Sequence, residues 1–206
     1  MARRKIKRTD EYFYLVDACF LANRYIPVRK LSPDEKQRVE RCRTWWAEIN
    51  KQQRRGKAIV YIPDVCIAEA FKVLAKKHIR EKVFTSSSEY VRAKNRLSDD
   101  ITIEIKKLKK PNRKVYFHDI STSRDVIISV DRFLETFMRR KLDVTVPDLI
   151  VLATAKYLID FYRIPLKKLI IITLDRPLCN GSKNFRDIPH AFDPTEDSQT
   201  AEKVFH

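Results

Sequence analysis

Tyr12-Phe-Tyr-Leu-Val-Asp17-Ala-Cys-Phe-Leu-Ala22 is an apolar run with a single carboxylate at its centre. The aromatic and β-branched residues before Asp17 predict a buried strand, bounded upstream by the polar Arg8-Thr-Asp-Glu11. A carboxylate in such a place is costly unless a cation, several hydrogen bonds or a metal ion compensates it. At the carboxyl end of a central parallel strand it would lie where open α/β sheets bind their ligands. Asp17 is therefore read as a functional residue. The alternative is an Asp that only caps the following helix.

The strand's surroundings fit one α/β domain. The chain has 206 residues, 44% of them hydrophobic, enough for a proper core. Its net charge is +16, from 43 Lys and Arg against 27 Asp and Glu, which favours a polyanionic partner. Nucleic acid comes first and an anionic membrane surface second. Only two glycines are present, Gly56 and Gly181. That excludes a P-loop and a G-x-G-x-x-G fingerprint and argues against a glycine-flanked serine nucleophile. Cys19, Cys42, Cys66 and Cys179 form no C-x-x-C, and the four histidines are scattered. Free thiols in a reducing cytoplasm fit better than disulfides or a zinc site. The basic start followed by an apolar run imitates a secretory signal, but Asp17 interrupts it. No stretch is long enough to span a membrane.

Taken in order, residues 1–10 are a basic arm and 12–17 the first strand, followed by a short helix that Pro27 ends. Ser32-Pro33-Asp-Glu35 is a helix start, with cap, proline and acids in the first turn. That helix runs to about Arg55 and stops at Gly56, with Trp45 and Trp46 as packing residues. A second strand covers 58–62. Pro63 opens a helix with Val65, Ala68, Phe71, Leu74 and Ala75 as its apolar face. Residues 76–113 read as a basic helical insert carrying Arg92, Lys94, Arg96, Lys106, Lys107, Lys109, Lys110 and Arg113. A third strand is expected over 114–117. Ser123 caps a helix through about Arg140, with Val126, Ile127, Val130, Phe133, Leu134 and Phe137 turned inward. A largely apolar helix starts at Val146-Pro-Asp148, and a doubly buried strand at Leu169 ends in Asp175. A last edge strand is expected near Ala191 and Phe192, and residues 194–206 form a polar tail. The single domain spans 11–193.

Strands alternating with helices predict a three-layer α/β/α sandwich around a central, mostly parallel sheet. In that arrangement Asp17 and Asp175 end strands, and Glu69 and Asp148 sit in the first turns of helices at the same sheet edge. Four acids distant in sequence converge. Crowded acids raise one another's pKa, and a hard divalent cation such as Mg²⁺ or Mn²⁺ relieves this. In a basic protein, that combination points to phosphodiester chemistry.

Leu15-Val-Asp17, Ile62-Pro-Asp-Val-Cys-Ile-Ala-Glu69, Val146-Pro-Asp148 with its helix, and Thr173-Leu-Asp175 resemble the ordered acidic motifs of PIN-domain nucleases. The resemblance spans residues 12 to about 193. It implies a Mg²⁺- or Mn²⁺-dependent endoribonuclease with Asp17, Glu69, Asp148 and Asp175 at the metal and Thr173 as an orienting hydroxyl. Many small relatives are VapC-type toxins of toxin–antitoxin pairs; others process RNA. The partners it implies are RNA, an antitoxin or inhibitor protein, and a second copy of the chain. Two features depart from the pattern. Ala18 stands where relatives commonly carry a small hydroxyl residue, and the chain is longer than a minimal domain. Two other functions stay open at this point: a non-catalytic RNA- or protein-binding module of the same fold, and a structure-specific DNA nuclease.

Overall fold

The computed structural model describes residues 11–101 and 117–196. Five strands form one parallel sheet in the order β3-β2-β1-β4-β5: β1 Tyr12–Val16, β2 Ala58–Pro63, β3 Phe117–Ile120, β4 Leu169–Ile172 and β5 Ala191–Phe192. The helices are α1 Ala18–Asn23, α2 Pro33–Arg54, α3 Asp64–Ile79, α4 Ser87–Ile101, α5 Arg124–Arg139, α6 Val146–Asp160 and α7 Arg176–Ser182. The expected α/β architecture is what forms.

The order follows from residue chemistry. Parallel strands covered on both faces must be apolar on both sides. Leu15, Val16, Ile171 and Ile172 are completely buried, and β1 pairs with β2 on one side and β4 on the other. The chain winds outward from β1 through β2 to β3, then returns to place β4 and β5 on β1's other flank. The reversal falls between β1 and β4. In open α/β sheets the crevice at that switch point, beyond the carboxyl ends of the strands, is where ligands bind.

Helix boundaries obey local rules. Ser32 caps α2, Pro33 occupies its first position, and Gly56 adopts φ +70° just past its end. Trp46 stacks on Phe20 at 4.7 Å between centroids and donates its indole N–H to the Phe20 carbonyl. Burying a residue of that kind contributes roughly 1.5–3 kcal/mol. Both tryptophans are core residues, as the sequence predicts.

Several expectations need adjustment. The third strand covers Phe117–Ile120 and so extends past the expected 114–117, of which residues 114–116 lie outside the described residues. Ala68 is exposed on α3, whose buried residues are Cys66, Ala70 and Leu74. Ile127 is exposed on α5, where Val126, Phe133 and Phe137 face inward. Both slips come from reading an apolar stripe too broadly: a helix turns 100° per residue, and neighbours of a buried residue rotate out to solvent. The first part of the basic stretch is also more integrated than an appended insert. Lys76 to Ile79 complete α3, and α4 buries Ala93 and Leu97 in the common core. The basic arm, Lys106, Lys107, Lys109, Lys110, Arg113 and residues 197–206 lie outside the described residues.

Candidate active site

Asp17 follows β1 directly. Its extended backbone lets it cap α1: Oδ1 accepts from the Phe20 N–H at 2.7 Å. Oδ2 accepts from the Thr173 hydroxyl at 2.5 Å and the Leu174 N–H at 3.3 Å, both on the segment leaving β4. Capping and a functional position therefore coincide in one side chain. Asp17 is 5% exposed and Thr173 is fully buried. Burial pushes the Asp17 carboxyl up to about 6; the three hydrogen bonds oppose this, and the nearby Asp148 charge adds to it. The hydroxyl that bonds Asp17 comes from Thr173, at the end of the neighbouring strand β4; Ala18 has none to offer.

Thr173 also accepts from the Asp175 N–H at 3.0 Å, which turns the chain so that Asp175 caps α7. The Asp175 carboxylate accepts from Leu178 N–H at 2.6 Å. Asp148 sits at the third position of α6 and reaches back to Thr145, accepting from its N–H at 3.0 Å and its hydroxyl at 2.5 Å. The capping roles that the sequence leaves open for these residues are thus real. Glu69 differs: it lies half-buried on α3, and among the described residues nothing hydrogen-bonds its carboxylate.

The four acids feel one another electrostatically. Desolvation raises the Glu69 and Asp175 carboxyls, and the Asp148 charge raises both further. Cys19, in the first turn of α1, stands among all four. Crowding by protein atoms pushes its thiol up to about 12, and the charges of Asp17, Glu69, Asp148 and Asp175 push the same way. Sequence reasoning does not single out Cys19; its place two residues after Asp17, on a helix leaving the sheet edge, is the available signal.

Among the described residues no set of three or more His, Cys, Asp or Glu side chains is drawn together tightly enough to hold a metal ion. Three of the carboxylates are turned onto their helix caps instead. In chemical kind the donors suit a hard divalent cation: all are carboxylate oxygens, three have raised carboxyls, and Glu69 has both oxygens free. The three basic residues of the candidate RNA surface that are described, Arg92, Lys94 and Arg96, are all exposed on α4. The end of α4 is tied to the end of α1, with Asp100 accepting from the Tyr25 hydroxyl at 2.8 Å and pairing with Arg24 at 3.4 Å.

Two cavities border this region. One of about 300 Å³ is lined by Cys19 and Leu174. A larger one of about 460 Å³ lies beside β5, and neither has any of the four acids on its wall.

Solved structures share this architecture. FitAcB from Neisseria gonorrhoeae superimposes with a TM-score of 0.51 at 16% identity, over 89% of this chain and 99% of that one. FitAB bound to the IR36 DNA fragment gives the same score and identity over 90% and 98%. The fold is PIN-like. VapBC2 from Rickettsia felis, bound to a DNA fragment from its promoter, covers 88% of this chain and 98% of its own at a TM-score of 0.49 and 10% identity. No protein-family model and no curated relative matches the sequence. In this PIN-like frame, Asp17 and Thr173 flank the switch point between β1 and β4.

Proposed function

We propose that the protein is a metal-dependent nuclease that hydrolyses RNA phosphodiesters, with Asp17, Glu69, Asp148 and Asp175 as its acidic centre. The observation that carries this reading is Asp17 itself. It is a buried carboxylate with a raised pKa, at the sheet's switch point and within the field of a second acid.

A Mg²⁺ or Mn²⁺ ion held by these acids would supply Lewis-acid polarisation of a phosphodiester oxygen and lower the pKa of a water. The chain's own residues do the rest. Thr173 and the Leu174 N–H fix the Asp17 carboxylate in one orientation. The Thr173 hydroxyl holds the turn that presents Asp175. Glu69, with no structural hydrogen bond and a raised carboxyl, is free to reorient and to take up a proton. The excess of Lys and Arg, including exposed Arg92, Lys94 and Arg96, suits a polyanionic substrate. The products would be a 5′-phosphate and a 3′-hydroxyl. An antitoxin or inhibitor protein as partner and a homodimer as the assembled state belong to the same proposal and rest on the PIN-family resemblance of the motifs.

The test is cleavage of a mixed RNA pool by purified protein with Mg²⁺ or Mn²⁺, beside Asp17→Asn and an EDTA control. Cleavage abolished in both controls is expected. No cleavage by the native chain, with tight RNA binding that EDTA leaves unchanged, would overturn this reading in favour of a non-catalytic binding module.

A further inference from the structure

The 300 Å³ cavity is built from α1, α2 and α3, and its wall includes Cys19, two residues after Asp17, and Leu174, next to Asp175. Its size is at the lower end of cavities that hold small molecules. Ile26, Val39 and Val73 give it apolar walls. Asn23, the last residue of α1, also lines it. Asn23 is 9% exposed, and no group among the described residues hydrogen-bonds its amide. Its amide atoms remain accessible, so a ligand or water entering the cavity can hydrogen-bond them. The charged rim is unequal. Lys77 donates to Glu35 at 2.7 Å and pairs with Glu81 at 2.5 Å, and Lys76 reaches Glu81 at 3.6 Å. These pairings largely neutralise the two acids. Arg38 forms no ion pair among the described residues and is exposed at the same rim.

We propose that this cavity receives an unstacked base of the nucleic-acid strand next to the phosphate being cut, with Asn23 reading the base's edge and Arg38 holding an adjacent phosphate. The proposal rests on the nuclease reading and adds a specificity site to it. Apolar walls suit the faces of a base, and a carboxamide offers the paired donor and acceptor that a base edge presents. Leu174 lies between Thr173 and Asp175, so a base seated here is one residue from the acidic centre.

The test has two arms. In EDTA, equilibrium binding of the four homopolymeric hexaribonucleotides is measured by fluorescence anisotropy for the native chain, Asn23→Leu and the cavity-filling Val73→Phe. In Mn²⁺, the ends produced from a mixed RNA pool are sequenced for the native chain and Asn23→Leu. The native chain is expected to favour one base by about tenfold. Both variants should lose the preference while keeping weaker, base-independent binding. Asn23→Leu should still cut, but with scattered ends. A thermal melt of each variant controls for folding, and Val73→Phe keeps the test valid if Asn23→Leu unfolds. Equal native affinity for all four oligonucleotides, or a preference that both folded variants retain, overturns the proposal. A native chain that does not cut yet shows a base preference sensitive to Asn23 refutes the nuclease reading and leaves the base pocket standing.

Discussion

Thr173, at the end of β4, donates its hydroxyl to Asp17, at the end of β1, across 2.5 Å and 156 residues of sequence. The bond joins the two central strands at their switch point and fixes the carboxylate at the centre of the proposed site. Thr173→Val keeps the shape and removes the donor. The Asp17 carboxyl should then rise above its already raised value, because that hydrogen bond is the largest force holding it down. Activity should fall about 10–100-fold, as for other residues that orient a ligand. The acidic limb of the pH–rate profile should also move to higher pH. Thr173→Ser should restore both, and an unchanged profile in Thr173→Val would refute the orienting role.

Asp17 also sets a pH dependence of stability, and its sign is unusual for an aspartate. Its folded-state carboxyl lies at about 6, against an ordinary aspartate value of 3.8. Between those values the folded protein binds the proton more readily than the unfolded chain does. Protonation therefore favours folding, and stability should fall as pH rises from about 4 to about 6. Raised Glu69 and Asp175 act in the same direction. In EDTA, the Tm of Asp17→Asn should lose most of this pH dependence, and the variant should lose the proposed nuclease activity. Melting curves across pH 4–8 would show it; a variant as pH-sensitive as the native chain would count against it.

Divalent ions should remove the same penalty. At a hundredfold excess over Kd, a ligand that binds only the folded state adds about 2.7 kcal/mol, or roughly 5–10 °C for a chain of this size. Mg²⁺ or Mn²⁺ should therefore raise the Tm at pH 7, and Glu69→Gln should shrink the increment. Glu69 makes no structural hydrogen bond and its charge carries a desolvation penalty, so this variant should keep or slightly raise the Tm in EDTA. Identical melts with and without the ions would contradict the proposed site.

Gly181 offers a test of the packing. A methyl group there would overlap the tip of the Phe137 ring. Phe137 is fully buried and held against Phe185, so the ring has nowhere to go. Gly181→Ala should destabilise by about 1–3 kcal/mol, the usual cost of overpacking. Gly56→Ala meets open space and only the strain of φ +70°, so its cost should be nearer ~1 kcal/mol. Urea denaturation of the two variants would rank them.

Exposed cations on α4 should govern salt dependence. Neutralising Arg92, Lys94 and Arg96 together should reduce the slope of log K against log salt for single-stranded RNA by up to about 2, at about 0.7 for each phosphate that a side chain neutralises. Affinity titrations at several salt concentrations would report it, and an unchanged slope would move the RNA path off this helix.

Much of this architecture was legible in the residues. Continuous apolar strands, Ser32-Pro33, Gly56 and the Ser123 cap have local causes, and local causes can be read directly. Topology predicts the four acids at one sheet edge; in the structure the Asp148 charge reaches Asp17, Glu69 and Asp175, but among the described residues no three of them close on a common metal position. What escaped was set by tertiary packing. The outward rotation of Ala68 and Ile127, the Asn23 side chain in a cavity shared by three helices, and the Leu174 N–H that bonds Asp17 have no signature in neighbouring residues.

Three of the four acids also hold the protein's own backbone: Asp17, Asp148 and Asp175 each secure the start of a helix. Selection for folding alone would keep them. On the proposed function, a descendant that had lost cleavage could still carry all three aspartates, because each still has a helix to begin. Glu69 has no such second employment. In comparisons among relatives, the glutamate rather than the aspartates would report whether chemistry is still under selection.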